Sequence, residues 1–236
     1  MTTGVASEAD WRPAIALLTI SALSVVIGAH PQPFGWEIAV THWVQQWRWL
    51  HAPLLVVSWP GNSVVVQGLI LMLICGLLAR GGWRREARAL AVVSVGAFLL
   101  NALLKAVVAR PRPTPELAQL YIATDGWSFP SGHVMFYTAF YGGLAGFAKA
   151  KLPRGVKRTA LYWLCVLMAG LVGPSRVFLG AHWLTDVLAG YGYGLAWLRL
   201  TGAALWQPAT DEVGDRGVAA GTVGQHNQST EGNTDV

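Results

Sequence analysis

Ser175-Arg176-Val177-Phe178-Leu179-Gly180-Ala181-His182-Trp183-Leu184-Thr185-Asp186 is the stretch whose reading decides the fold. It carries an arginine, a histidine and an aspartate into apolar surroundings. Residues four apart share one helix face. A helix starting near His182 would therefore set Asp186 beneath the imidazole, where it can accept the ring N–H. That bond fixes the tautomer and stabilises an imidazolium, the logic of a catalytic histidine–carboxylate pair. A structural His–Asp pair would have the same spacing. Arg176, expected on a short loop before the pair, adds a planar fork that matches phosphate oxygens.

The rest of the chain indicates which solvent surrounds this stretch. Of 236 residues, 53% are hydrophobic and only 12% charged, about half the usual charged share of a soluble domain. Mean hydropathy is +0.43, which points to a bilayer protein. The net charge of +5 does not indicate a nucleic-acid partner, because the basic residues cluster in short loops between apolar runs. No obligate protein partner is evident. Cys75 and Cys165 sit inside apolar runs without metal or disulfide spacing, and read as small hydrophobes.

A helix needs about 20 apolar residues to cross a bilayer. The pattern predicts an all-α fold, a six-transmembrane-helix bundle, with spans near Pro13–Ala29, Leu54–Ala79, Ala87–Ala109, Gly132–Ala148, Thr159–Gly173 and Trp183–Thr201. Gly142, Gly143 and Gly146 suit close packing of the fourth span. The flank of the first span lacks a basic n-region, so it reads as an uncleaved helix rather than a signal peptide. Between the first two spans, Trp36, Val40, Trp43, Trp47 and Leu50 recur at helical spacing, with Glu37, Thr41, Gln45 and Arg48 on other faces. This predicts an amphipathic helix in the outer interface, an anchor or a guide for lipid.

Arg80, Arg84, Arg85 and Arg88 follow the second span. Lys149, Lys151, Arg154, Lys157 and Arg158 follow the fourth. The positive-inside rule makes that side cytoplasmic, with both termini on it. Leu104–Ser131 and Pro174–His182 then face outward, toward the periplasm or exterior. Trp11, Trp36, Trp59, Trp83, Trp127, Trp183 and Trp206 fall near span ends, where indole prefers the head-group zone. The domains expected are a cytoplasmic stub over 1–12, a membrane-embedded domain over 13–201, and a disordered cytoplasmic tail over 202–236.

Two further clusters map to the outer side. In Lys105-Ala-Val-Val-Ala-Arg110-Pro111-Arg112-Pro113, prolines end the third span and hold cations near the interface; such residues also snorkel to head groups without further function. Ser128-Phe129-Pro130-Ser131-Gly132-His133 opens the fourth span. Ser131 is a candidate N-cap and Gly132 permits close backbone approach. The first-turn N–H groups favour an anion, and His133 can hold or release a proton near neutrality.

Lys105-x6-Arg112-Pro113, Pro130-Ser131-Gly132-His133 and Ser175-Arg176-x5-His182-x3-Asp186, in this order, resemble the signature of the type 2 phosphatidic acid phosphatase family. The spacing from Lys105 selects Arg112 over Arg110, and leaves Arg110 a lesser, lipid-facing role. The resemblance implies that His182 attacks phosphorus and becomes a phosphohistidine. Asp186 orients and charge-balances it. His133 protonates the leaving oxygen and then activates water. Lys105, Arg112, Ser131, Gly132 and Arg176 hold the phosphoryl oxygens. No metal or other cofactor is implied. Soluble vanadate-dependent haloperoxidases share such motifs, but the membrane spans argue against that class.

The function expected is a lipid phosphatase of a bacterial inner membrane, acting on a lipid phosphate such as undecaprenyl diphosphate, phosphatidylglycerol phosphate or phosphatidate. A phosphotransferase, or a lipid-binding protein without catalysis, is the alternative.

Overall fold

The computed structural model describes residues 12–30 and 32–205. Among these the chain forms eight α-helices and no strand: α1 (Arg12–Gly28), α2 (Gly35–Gln45), α3 (His51–Ser58), α4 (Val64–Arg80), α5 (Arg84–Val108), α6 (Gly132–Lys151), α7 (Val156–Phe178) and α8 (Leu184–Leu205). Two of them, α5 and α7, are long and apolar enough to cross a membrane, and the bent pair ending in α4 makes a third if counted as one span. The expected stub and tail lie outside the described residues over 1–11 and 206–236, as do Trp11 and Trp206.

The core sits around α6. Val134, Phe136, Tyr137, Phe140 and Leu144 of that helix pack with Leu90 of α5, Val172 of α7 and Val187 of α8. Its glycines divide in role. A Cβ on Gly142 would lie 2.6 Å from Leu198 of α8, whereas one on Gly146 would meet nothing within 4 Å. Only the first permits close approach. α1 joins α8 through Ser24 Oγ and Tyr193 Oη, 2.8 Å apart.

Three expectations change. The second span is not one helix: Trp59–Gly61 forms a 3-10 turn, and the flanking segments meet at 73°. Pro60 withdraws a backbone donor, and Ser63 is extended, which ends the helical run.

The fifth span does not stop at Gly173. Pro174 leaves the carbonyl of Gly170 without its helical partner. Tyr191 Oη of α8 supplies one at 2.7 Å. The helix therefore runs on to Phe178 and carries Arg176 on its last turn, not on a loop.

The helix expected between the first two spans is present as α2, with its polar face pointing inward. Glu37 and Thr41 are fully buried, while Trp36 and Trp43 are 49% and 59% exposed. Gln45 Nε2 donates to the carbonyls of Gln119 and Phe178, at 2.7 and 3.0 Å. The exposed side of this helix is apolar and its polar side is spent on the protein. α2 therefore braces the connection between α5 and α6.

Candidate active site

One end of the bundle collects the polar residues. The end of α5, the start of α6, the end of α7, the turn before α8 and the bend before α4 enclose a cavity of about 470 Å³. Lys105, Arg112, Gly132, His133, Arg176 and His182 line it, with Asn62 and Asp125. These are six of the eight residues expected from sequence. The other two, Ser131 and Asp186, lie behind the wall, fully buried.

The route from α5 into the site runs through Ala109, which caps the helix with left-handed torsions. After that turn, Arg112 lines the cavity and Arg110 does not. Arg112 Nη1 donates to the carbonyl of Ala181 at 2.8 Å and lies 3.3 Å from His182 Nε2. Lys105 Nζ donates to the carbonyls of Trp127 and Ser128. Arg176 donates to Ser58 Oγ at 2.5 Å and to Asn62 Oδ1 at 3.2 Å.

The neighbours of His182 assign its tautomer. A guanidinium only donates, so Nε2 presents its lone pair to Arg112. On the other side, Ser128 Oγ donates its one proton to Asp186 Oδ2 at 2.5 Å. Its lone pair is then left for Nδ1–H, 3.3 Å away. Nε2 is thus the free base, on the cavity side. Burial holds this imidazole well below its ordinary value of 6.5, and the charges of Arg112, Lys105 and Arg176 push in the same direction. Both effects favour the neutral ring.

Asp186 does not take the position expected of it. Its Oδ2 is 3.7 Å from His182 Nδ1, beyond hydrogen-bond range. Ser128 stands between them, because Oδ2 is already drawn to the backbone N–H of Trp183 at 2.9 Å. Ser128 is inside the sequence motif, but hydroxyls are too common in loops to single out.

Arg110 is the larger correction. It is not lipid-facing: its side chain is 0% exposed and bridges Asp186 Oδ1 and Glu37 Oε2, at 2.6 and 2.7 Å. Trp183 is also buried within the protein. Ser131 occupies the N-cap position of α6 without a side-chain cap bond, and its Oγ has no partner. Gly132 is required by Asn101, whose Oδ1 would stand 2.9 Å from an added Cβ.

His133 Nε2 is 3.1 Å from Asn62 Oδ1. A Cβ on Gly61 would come within 2.3 Å of the His133 ring, so the bend before α4 seats that imidazole. Asn62 gave no sequence signal, because its role depends on a break that apolar patterning does not record. Among the described residues no group of three His, Cys, Asp or Glu could hold a metal ion.

This all-helical fold has known counterparts. The PAP2 superfamily model matches residues 86–208, and the chain belongs to that superfamily. It is 34% identical to the phosphatidylglycerophosphatase B of Bacillus subtilis over 62% of this chain and 71% of that protein. It is 34% identical to a lipid A 1-phosphatase of Rhizobium johnstonii over 52% of each. Among solved structures, it resembles a transmembrane PAP2-type phosphatidylglycerolphosphate phosphatase from Bacillus subtilis. There the TM-score is 0.67, with 27% identity over 82% of this chain and 96% of that one. The fold also matches LpxE of Aquifex aeolicus, with a TM-score of 0.57, 20% identity, and coverage of 72% and 96%. The chain is thus an integral membrane enzyme of a class that hydrolyses phosphoric esters.

Proposed function

We propose that this enzyme hydrolyses a phosphomonoester or diphosphate of a lipid through a phosphohistidine on His182. The observation that carries the reading is the free Nε2 of His182 opening on a cavity shared with Lys105, Arg112, Arg176 and His133. In the first step the Nε2 lone pair forms a bond to phosphorus as the ester P–O bond breaks. Protonated His133 gives its proton to the leaving oxygen. In the second step His133 takes a proton from water. The water oxygen bonds phosphorus, the N–P bond breaks, and inorganic phosphate leaves. Lys105, Arg112, Arg176 and the backbone at Gly132 hold the phosphoryl oxygens, with Ser131 buried behind them. They supply the fixed positive charge that phosphoryl transfer needs, so no metal enters the scheme.

In this proposal α1, the bent pair ending in α4, and α5 to α8 make six spans over residues 13–201. The basic loops and both termini are cytoplasmic, and the site opens to the periplasmic or outer face of a bacterial inner membrane. Phosphatidylglycerol phosphate is the first substrate to test, given the relative's name, with undecaprenyl diphosphate, phosphatidate and lipid A beside it.

The test is phosphate release from each lipid by purified protein in detergent. Release without an added acceptor is expected and separates hydrolysis from phosphotransfer. Trapping should give an acid-labile phosphoenzyme. His182→Ala should lower turnover by about four orders of magnitude or more while remaining monodisperse. Undiminished turnover in that variant overturns the mechanism. Lipid binding with no phosphate release from any substrate would favour a binder.

A further inference from the structure

We infer that Glu37 and Arg110 are positioning residues for the nucleophile, holding Asp186, Ser128 and His182 as one buried relay behind the reacting nitrogen. The inference rests on the reading of His182 as nucleophile. None of the sequence motifs includes Glu37, and Arg110 is the arginine that their spacing passes over.

The relay can be followed atom by atom. Glu37 Oε2 accepts from Arg110 Nη2 at 2.7 Å. Arg110 Nη1 donates to Asp186 Oδ1 at 2.6 Å. Asp186 Oδ2 accepts from Ser128 Oγ at 2.5 Å, and Ser128 Oγ lies 3.3 Å from His182 Nδ1. Thr185 closes a second ring. Its hydroxyl donates to Glu37 Oε1 at 2.5 Å and accepts from Arg110 Nη1 at 2.6 Å. Its backbone N–H reaches the same carboxylate oxygen at 3.1 Å. The Glu37, Arg110 and Asp186 side chains are all 0% exposed.

Such a cluster is costly. Buried ion pairs can often be replaced by apolar residues with no loss of stability, so stability alone does not explain three charges in a closed space. Their charge balance suggests a purpose. Two carboxylates and one guanidinium leave one net negative charge behind His182, opposite the cations of the cavity. When Nε2 bonds phosphorus the ring becomes positive, and that negative charge stabilises it. Arg110 keeps the two carboxylates from repelling each other, and its fork fixes the angle of Asp186. The other charged or titratable groups around His182 are Lys105 of α5, Arg112 and Asp125 of the connection, His133 of α6 and Arg176 of α7. Asp125 lies on the cavity side, where it faces Arg112, so Asp186 and Glu37 supply the negative charge on the far side of the ring.

The experiment compares Glu37→Gln, Glu37→Asp and Arg110→Lys with the wild type in detergent. The substrates are phosphatidate and p-nitrophenyl phosphate, and gel filtration and thermal unfolding are run alongside. Glu37→Gln should lower kcat about tenfold on both substrates, with KM within about twofold. Its acid limb of kcat/KM should move to lower pH, because a negative charge near His182 is lost. Glu37→Asp should recover part of kcat. Arg110→Lys should also lose kcat, since an ammonium cannot bridge as a fork does. Should Arg110→Lys fail to fold, the near-isosteric Glu37→Gln decides. Wild-type kcat and an unmoved acid limb in Glu37→Gln reduce the cluster to a structural tie and overturn the inference, whatever happens to stability. If the wild type itself releases no phosphate, the proposed function fails separately. The relay is then judged on the ¹⁵N shifts of His182. A change in the Nδ1–H tautomer or its titration in Glu37→Gln supports the relay, and identical shifts overturn it.

Discussion

The two sides of His182 are built on opposite principles. The cavity side holds three cations, Lys105, Arg112 and Arg176, around open space. The far side holds Arg110, Glu37, Asp186 and Ser128 in mutual contact with no accessible surface. In the proposed function an anionic substrate completes the first group. The second group needs no ligand, because each of its charged side chains already has a partner of opposite sign. Two arginines two positions apart in the chain, Arg110 and Arg112, go to these different sides in the connection that follows the left-handed turn at Ala109. Binding is thus separated from orientation within a few residues of backbone.

The comparison breaks most visibly on the cavity side. Arg112→Ala should lower kcat about 10²- to 10³-fold, as removal of a preorganised donor from a developing anion does. Steady-state phosphate release measures it, and a loss confined to KM would mean that Arg112 binds ground state and transition state alike.

A smaller loss tests the residues that seat the acid and one cation. Asn62→Ala removes the acceptor shared by His133 Nε2 and Arg176 Nη1. Turnover should fall about tenfold, with the protein still folded, because both side chains keep their places in the wall but lose their angle. Wild-type kinetics in this variant would show that the bend before α4 positions nothing.

The smallest effect is a displaced pH profile. His182 is held below its ordinary value of 6.5, first by burial and then by the three cavity cations. In the proposed mechanism the neutral ring attacks, so the acid limb of kcat/KM in the wild type should lie below that value. The same shift makes acid destabilising. An unfolded His182 takes up a proton near its ordinary value while the folded one does not, so the contribution is full above it and is lost as pH falls below it. An acid limb at or above the ordinary value would mean that a different group limits the rate.

Much of the cavity side was legible in the sequence. Lys105, Arg112, His133 and His182 are polar exceptions in apolar surroundings, and the resemblance to the family's Lys-x6-Arg-Pro motif chose Arg112 over Arg110. The fate of Arg110 was not legible. Glu37 lies 73 positions before it in the chain, and nothing local distinguishes a buried arginine from one that snorkels to head groups. For α2 the helical spacing was legible and the facing was not. A membrane protein can turn the apolar side of an amphipathic helix to lipid or to its own core, and periodicity is identical in both cases.

The chain alone therefore determined composition, the helical runs and the set of groups able to grip a phosphate. These follow from local hydropathy and from residue chemistry. Tertiary structure decided which carboxylate meets which cation, that Ser128 separates Asp186 from His182, and that the second span breaks at Pro60. The reason is that a buried charge takes its role from its partners, and here the partners come from helices far apart in sequence that meet only when the bundle closes.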